Sequence, residues 1–396
     1  MMNNMMIGHE FLEREFGFTP TVGWHIDPFG HSNGNPRLFA EMGMDAWFFA
    51  RIDFQDKEKR LKEKSMEWVW KPFSESLGDR VSIFTHTMQD HYSYPQGFKY
   101  DDNNFSDEPT VADETLETFN ADEKALQMWK YVKQMSTHYQ GNNLFIPWGD
   151  DFTYGNAHLT FRPIDQLITY FNAHYDDITL LYSTPSQYIN ALKEEDIEWP
   201  VRYDDMFPYA DQAEDYWTGY FSSRSDKKEE DRIVQANLHA SNKIFAEKVI
   251  IQTTEDDTIN SILEAKHGMF DAMGIMQHHD AITGTAKQAV ADNYSKHLQA
   301  AMDTSNNLLV EFIGARAVVE AGLPSDGWKA CTVDNGRTPS CGKVGGGFSD
   351  DVTYVSMYNP ATIDQTVVQL EADADENYTV ELYNRDTKTW DAVDFD

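Results

Sequence analysis

Basic residues are scarce in this 396-residue chain: 32 Lys and Arg stand against 66 Asp and Glu, a formal net charge of −34. A surface so acidic repels phosphate backbones and anionic bilayers, which excludes nucleic acid and membrane surfaces as partners. No run of 18 apolar residues occurs, so nothing reads as a transmembrane helix. Residues 1–8 carry no basic region, apolar core or cleavage site, and so do not read as a signal peptide. Cysteine is nearly absent: Cys331 and Cys341 flank a loop containing Gly, Pro and Asn. Either they pair in an oxidising lumen, worth about 2–3 kcal/mol through loop closure, or they are free thiols. Three Asn-X-Ser/Thr triplets, at Asn104, Asn293 and Asn377, lean toward the lumen. The carboxylate excess also suits a compartment acidic enough to protonate some of them.

Chemistry is densest in the stretch Trp24-His25-Ile26-Asp27-Pro28-Phe29-Gly30-His31-Ser32. An apolar run leads into Asp27, and Pro28 and Gly30 then stop any regular element. Asp27 is therefore expected at a strand end, where open α/β sheets bind ligands. The bland alternative is an ordinary Asp-Pro turn.

From residue 20 to about 195, short apolar runs alternate with helical periodicity, the pattern of a parallel sheet with crossover helices. Strands are expected at 21–26, 46–51, 81–86, 143–148 and 178–183, and helices near 34–43, 55–70, 112–139, 162–175 and 185–195. Residues 101–123 read in their first half as a solvated loop without the fixed spacing of an EF-hand. Helical periods then fill 228–250, 257–277 and 286–320, a three-helix bundle. Alternation at 352–358 and 366–370 reads as strands. The chain thus divides into a parallel-sheet α/β domain (1–205), a helical middle domain (206–322) and the start of a β-sandwich-type domain (323–396), which stops inside its β region.

On that map Asp27, Arg51, His86 and the Asp150-Asp151 pair each follow or close a strand. Any one alone reads as a cap or a surface charge; together at one sheet edge they favour a site. A second constellation, Gln277-His278-His279-Asp280-Ala281-Ile282-Thr283-Gly284-Thr285, joins two helices and makes a candidate metal- or sugar-binding turn. Adjacent imidazoles are expected to point apart, leaving at most one to ligate an ion; capping of helix ends is the alternative. Glycoside hydrolysis with retention needs a carboxylate nucleophile and a carboxylic acid about 5 Å apart. Asp27, held ionised by Arg51, and one of the Asp150-Asp151 pair, whose mutual repulsion favours a retained proton, could supply these.

Residues 24–32, the run Phe48-Phe49-Ala50-Arg51-Ile52-Asp53-Phe54-Gln55-Asp56-Lys57, Gly149-Asp150-Asp151-Phe152, residues 207–224 and residues 277–285 together resemble the α-mannosidases of glycoside hydrolase family 38. The Arg51 run and residues 216–224 are most similar to the lysosomal branch rather than the Golgi branch. Five separated motifs in order cover roughly residues 20–340. The resemblance implies Asp27 as nucleophile and zinc ligand, Asp151 as general acid/base, His279 as a zinc ligand, and Phe29, Arg51, Tyr94 and Asp280 as substrate-binding residues. It further implies zinc as cofactor, mannose-containing N-glycans or oligosaccharides as substrate and a lysosomal or vacuolar lumen, and it leaves room for a homo-oligomer. The family opens with a His/Asp-rich block that brings two further zinc ligands, which His9 and Glu10 do not reproduce. Weak zinc binding and little turnover are therefore expected of these 396 residues, both ends of the family's pattern being cut short. The alternative is a non-catalytic carbohydrate- or partner-binding relative without the metal site; a zinc-dependent sugar deacetylase is more distant.

Overall fold

A computed structural model describes residues 1–101, 106–251, 255–324, 326–334, 338–340, 352–359 and 379–393. It divides into two compact units, one of residues 9–219 and one of residues 1–8 with 220–396. Helix α1 (Met2–Phe16), not expected from sequence, begins in one unit and ends in the other, and buries none of its side chains.

The unit of residues 9–219 is built on a five-stranded sheet: β1 (Val22–Trp24), β2 (Ala46–Phe49), β3 (Glu67–Trp70), β4 (Ile83–Thr87) and β5 (Val201–Arg202), in the order β1-β2-β4-β3-β5. β1, β2 and β4 run parallel, with Val22 beside Ala46 and Ala46 beside Phe84. Both faces of β2 are covered, as parallel strands require. Ala46 and Phe48 pack with Tyr188, Ile189 and Leu192, while Trp47 meets Phe39 edge-on and stacks with Trp70. α2 (Gly34–Glu41), α3 (Phe54–Glu63), the short α4 (Ser74–Leu77), α5 (Ala121–Met135), α6 (Ala157–His174) and α7 (Pro185–Lys193) complete the unit. Asp53 caps α3 through the amides of Gln55 and Asp56, and a Thr184–Gln187 capping box with Pro185 starts α7.

Four expectations need correction. The helix at 55–70 ends at Glu63, where Lys64 takes the left-handed conformation, and residues 67–70 form β3 with Trp68 and Trp70 buried. β3 is antiparallel to β4, so the sheet is mixed rather than all parallel. Residues 143–148 form no strand. They alternate like one, Phe145 toward Phe48 and Tyr188 and Leu144 with Ile146 toward the α5–α6 layer. Pro147 offers no amide, however, and the amides of Asn142 and Asn143 bond to the Glu195 carboxylate. Residues 178–183 likewise form no strand, because the Asn172 side chain takes both the amide and the carbonyl of Leu180.

In the other unit, α8 (Ser225–Ile251), α9 (Asp256–Met276) and α10 (Gln288–Ala321) pack mutually as a three-helix bundle. Val234, Leu238, Met269, Met273, Met276 and Leu298 form its core at the end near the α9–α10 turn. Beyond it, β6 (Thr332–Asp334) pairs antiparallel with β7 (Thr338–Ser340), and β8 (Val380–Asn384) with β9 (Thr389–Val393). Residues 352–358, expected as a strand, pair with no strand among the described residues; the expected strand at 366–370 lies outside them, as does Cys341. Asn104 and Asn377 also fall outside them, while Asn293 is exposed on α10.

Candidate active site

β1 delivers Asp27 and β2 delivers Arg51 to the same edge of the sheet. Arg51 Nε donates to Asp27 Oδ1 in a close ion pair, both side chains largely buried. The loop after Asp27 can pass here because residue 30 is glycine. At φ +101° it sits in a conformation L side chains avoid, and a Cβ would come within 2.3 Å of the Phe207 ring. His31 then fixes the loop: it exchanges backbone bonds with Met206 at 3.1 and 2.8 Å, and its Nε2 lies 2.9 Å from the Arg51 carbonyl.

Arg51 is boxed by aromatics. Its guanidinium lies 4.6 Å from the Trp217 ring centre and 5.8 Å from that of Tyr209, and Phe29 packs on Trp217 at 5.5 Å. Burial works against the charge, but hydrogen bonds with Tyr209 and Asp27, and the Asp27 charge, outweigh it and raise the Arg51 pKa.

Tyr92 lies beside Asp27. Its pKa is pushed up to about 12, first by burial, then by the charges of Asp27 and Asp151, and it hydrogen-bonds Asp27. The phenol therefore lies within electrostatic reach of both carboxylates. Its neighbour His91, at φ +59°, is pushed down to about 4 by burial, with Arg51 and Lys57 opposing its protonation and Asp27 and Asp150 favouring it. Asp150 and Asp151 have different surroundings: Asp150 Oδ1 accepts the Asp151 amide at 2.8 Å and its Oδ2 lies 3.9 Å from Lys99 Nζ, whereas Asp151 is exposed. Tyr94 is buried, and its pKa is raised chiefly by that burial, with the hydroxyls of Thr153 and Thr160 nearby.

His86, expected at this edge, is instead wholly buried inside β4, with Nδ1 2.9 Å from Glu67 Oε1; the Tyr188 hydroxyl donates to the same oxygen at 2.6 Å. Glu67 arrives on β3, the strand hidden in an apparently helical stretch.

In the bundle unit, His278, His279 and Asp280 occupy the α9–α10 turn with their potential ligand atoms within 4.8 Å of one another. The two imidazoles do not point apart, since their ring centres are 4.3 Å apart. The tight turn after α9, with His278 N bonded to Ile275 O and Ala281 N to His278 O, accounts for this. Asp280 Oδ2 is 3.6 Å from His278 Nε2, and Asp280 Oδ1 accepts from Thr285 at 2.6 Å. Imidazole and carboxylate are donor types that suit a borderline ion such as zinc. The turn itself is clamped through its backbone. Arg224 donates to the carbonyls of Gly284 and Ala286 at 2.6 and 2.7 Å, and Lys228 to those of Ile282 and Thr283 at 2.9 Å each.

Sequence reasoning thus named Asp27, Phe29, Arg51, Tyr94 and Asp151, which the sheet unit holds, and His279 and Asp280, which share the bundle turn. It missed Tyr92, His91, Tyr209 and Trp217. The aromatic crowding at 216–221 was a visible signal for the last; Tyr92, on a loop, had none.

Residues 1–212 match the model of the glycosyl hydrolases family 38 N-terminal domain, and residues 215–315 that of the alpha mannosidase middle domain. A lysosomal alpha-mannosidase of Dictyostelium discoideum is 38% identical over 316 residues, 78% of this chain and 30% of that protein. Its human namesake is 35% identical over 305 residues, 76% of this chain and 30% of that protein. The chain therefore spans about a third of the length of these curated relatives. Among solved structures, an alpha-mannosidase from Enterococcus faecalis aligns over 82% of this chain and 33% of its own, with a TM-score of 0.58 at 18% identity, a likeness of fold.

Proposed function

The chain belongs to glycosyl hydrolase family 38, and from that premise we propose that its protein is a retaining α-mannosidase that removes terminal α-mannose from N-glycans in a lysosomal or vacuolar lumen. Asp27 attacks the anomeric carbon as Asp151 passes its proton to the departing glycosidic oxygen. Asp151, now a carboxylate, then takes a proton from water as that water displaces Asp27 from the mannosyl ester, restoring both groups. Phe29 lines the sugar, Arg51 keeps Asp27 ionised, Asp280 binds sugar hydroxyls, and Tyr94 is a further substrate-binding residue.

One observation carries this reading: Asp27 is ion-paired with Arg51, and Tyr92, which hydrogen-bonds Asp27, also feels the charge of Asp151. A buried guanidinium suits a carboxylate that has to react ionised, as a nucleophile does. Zinc, with Asp27 and His279 as its ligands in this chain, would grip sugar hydroxyls and offset developing charge. A Cys331–Cys341 disulfide, glycosylation at Asn293 and a β domain beginning near residue 323 complete the proposal.

Substituting Asp27→Asn tests it directly. With zinc supplied, hydrolysis of an aryl α-mannoside should fall by about three orders of magnitude or more. Mannoside binding without zinc and without any turnover in the parent chain would instead favour a non-catalytic glycan-binding relative.

A further inference from the structure

The bonds around Arg51 continue past Asp27. On the far side of the guanidinium, its NH1 donates to the Tyr209 hydroxyl at 3.4 Å, and that hydroxyl donates to Asp211 Oδ1 at 2.9 Å. Four groups therefore form one chain, Asp27, Arg51, Tyr209 and Asp211, with a carboxylate at each end. A phenol that donates to a carboxylate becomes a better acceptor, so the Asp211 bond strengthens the grip of Tyr209 on Arg51.

The segment that brings these groups is rigid. Trp217 N bonds to Tyr209 O at 3.0 Å, Asp211 N to Asp215 O at 3.2 Å, and Phe54 N to Ala210 O at 3.0 Å, tying the turn to itself and to the start of α3. Tyr209 is buried, and its ring meets Trp217 edge-on at 5.2 Å, so the phenol has no room to swing away. Asp211 is exposed at the turn and lies near Lys57, whose charge it favours.

We propose that Tyr209 and Asp211 are positioning residues that act through Arg51, fixing one end of the guanidinium so that its Nε holds Asp27 in a single orientation. This rests on the reading of Asp27 as nucleophile. Substrate need not touch either residue; what they set is the aim of the carboxylate, and a small loss of aim costs turnover more than binding.

The test uses Tyr209→Phe, which keeps the ring and its packing, with Asp211→Ala and Asp211→Asn, all in the zinc-supplied full chain. Tyr209→Phe and Asp211→Ala should lower kcat on an aryl α-mannoside about 10- to 100-fold with KM within about threefold. Asp211→Asn retains an acceptor for the phenol and should stay within about threefold of the parent. In parallel, the Arg51 Nε–H signal of 15N-arginine-labelled protein, assigned with Arg51→Lys, should exchange with water faster in Tyr209→Phe and Asp211→Ala and at the parent rate in Asp211→Asn. If the parent turns over too slowly to read, the exchange rates alone decide the positioning, and their outcome is separate from that of the function reading. Unchanged exchange in Tyr209→Phe and Asp211→Ala, or a loss confined to KM, overturns the proposal.

Discussion

Asp27 is held through its side chain, whereas the His278–Asp280 turn is held through its backbone. In the sheet unit, a charged partner, Arg51, sits on the candidate nucleophile and is itself boxed by Trp217 and Tyr209. In the bundle unit, Arg224 and Lys228 grip four carbonyls of the turn rather than its ligand-type side chains, of which Asp280 accepts from Thr285. The first arrangement sets ionisation and orientation together. The second sets only where the side chains start from. Damage to the first should therefore appear in turnover, and damage to the second in metal affinity and local stability.

Arg51→Met should give the largest separation. It keeps bulk against Trp217 but leaves the buried Asp27 carboxylate without its cation, and turnover should fall about 100-fold or more with the fold retained by circular dichroism. A fall in zinc affinity without a fall in turnover of the loaded protein would erase the contrast.

Acid should act next, and on the sheet unit. His31 is fully buried and its pKa is pushed down to about 3 by burial, with nearby His25 contributing and the bond to the Arg51 carbonyl opposing. The unfolded chain, with histidine near 6.5, binds more protons between those values, so stability rises with pH across that window and is lost as pH falls from about 6.5 toward 3. Each unit of pH in the window costs about 1.4 kcal/mol. Denaturant midpoints should therefore drop for this unit on acidification, and in His31→Gln the drop should be shallower. An identical slope in both proteins would mean that other groups set the acid response.

Gly284→Ala is the smallest change and belongs to the bundle turn. Gly284 has φ +76°, and a Cβ there would meet Ser223 O at 2.7 Å, so backbone must move. A loss of about 1–3 kcal/mol is expected. Zinc affinity by calorimetry should weaken, while the pH response of the sheet unit should not change.

These regions also differed in how readable they were. β2 announces itself as an apolar run because both its faces are buried, β1 and β4 beside it carry shorter apolar runs, and strand ends then locate Asp27 and Arg51. The same logic overcounts at 143–148, where burial on two sides imitates a strand but Pro147 and Glu195 remove the ladder. It undercounts at β3, whose Glu67-Trp68-Val69-Trp70 follows α3 so closely that the helical period swallows it; only the left-handed Lys64 marks the break. His86 was misplaced for that reason, since its partner Glu67 comes from the unseen strand. In the bundle, helices separated by one short turn leave the His278-His279-Asp280 motif in plain view. The grip of Arg224 and Lys228 on carbonyls leaves no trace in residue type, and neither does the placement of Tyr92 beside Asp27.

Covalent trapping addresses the central claim most directly. The zinc-supplied protein would be incubated with a fluorinated α-mannosyl fluoride, digested and read by mass spectrometry. The account predicts a mannosyl adduct on the peptide containing Asp27, absent in Asp27→Asn. An adduct on another carboxylate, or steady turnover of mannosides with no trapped adduct, would contradict it.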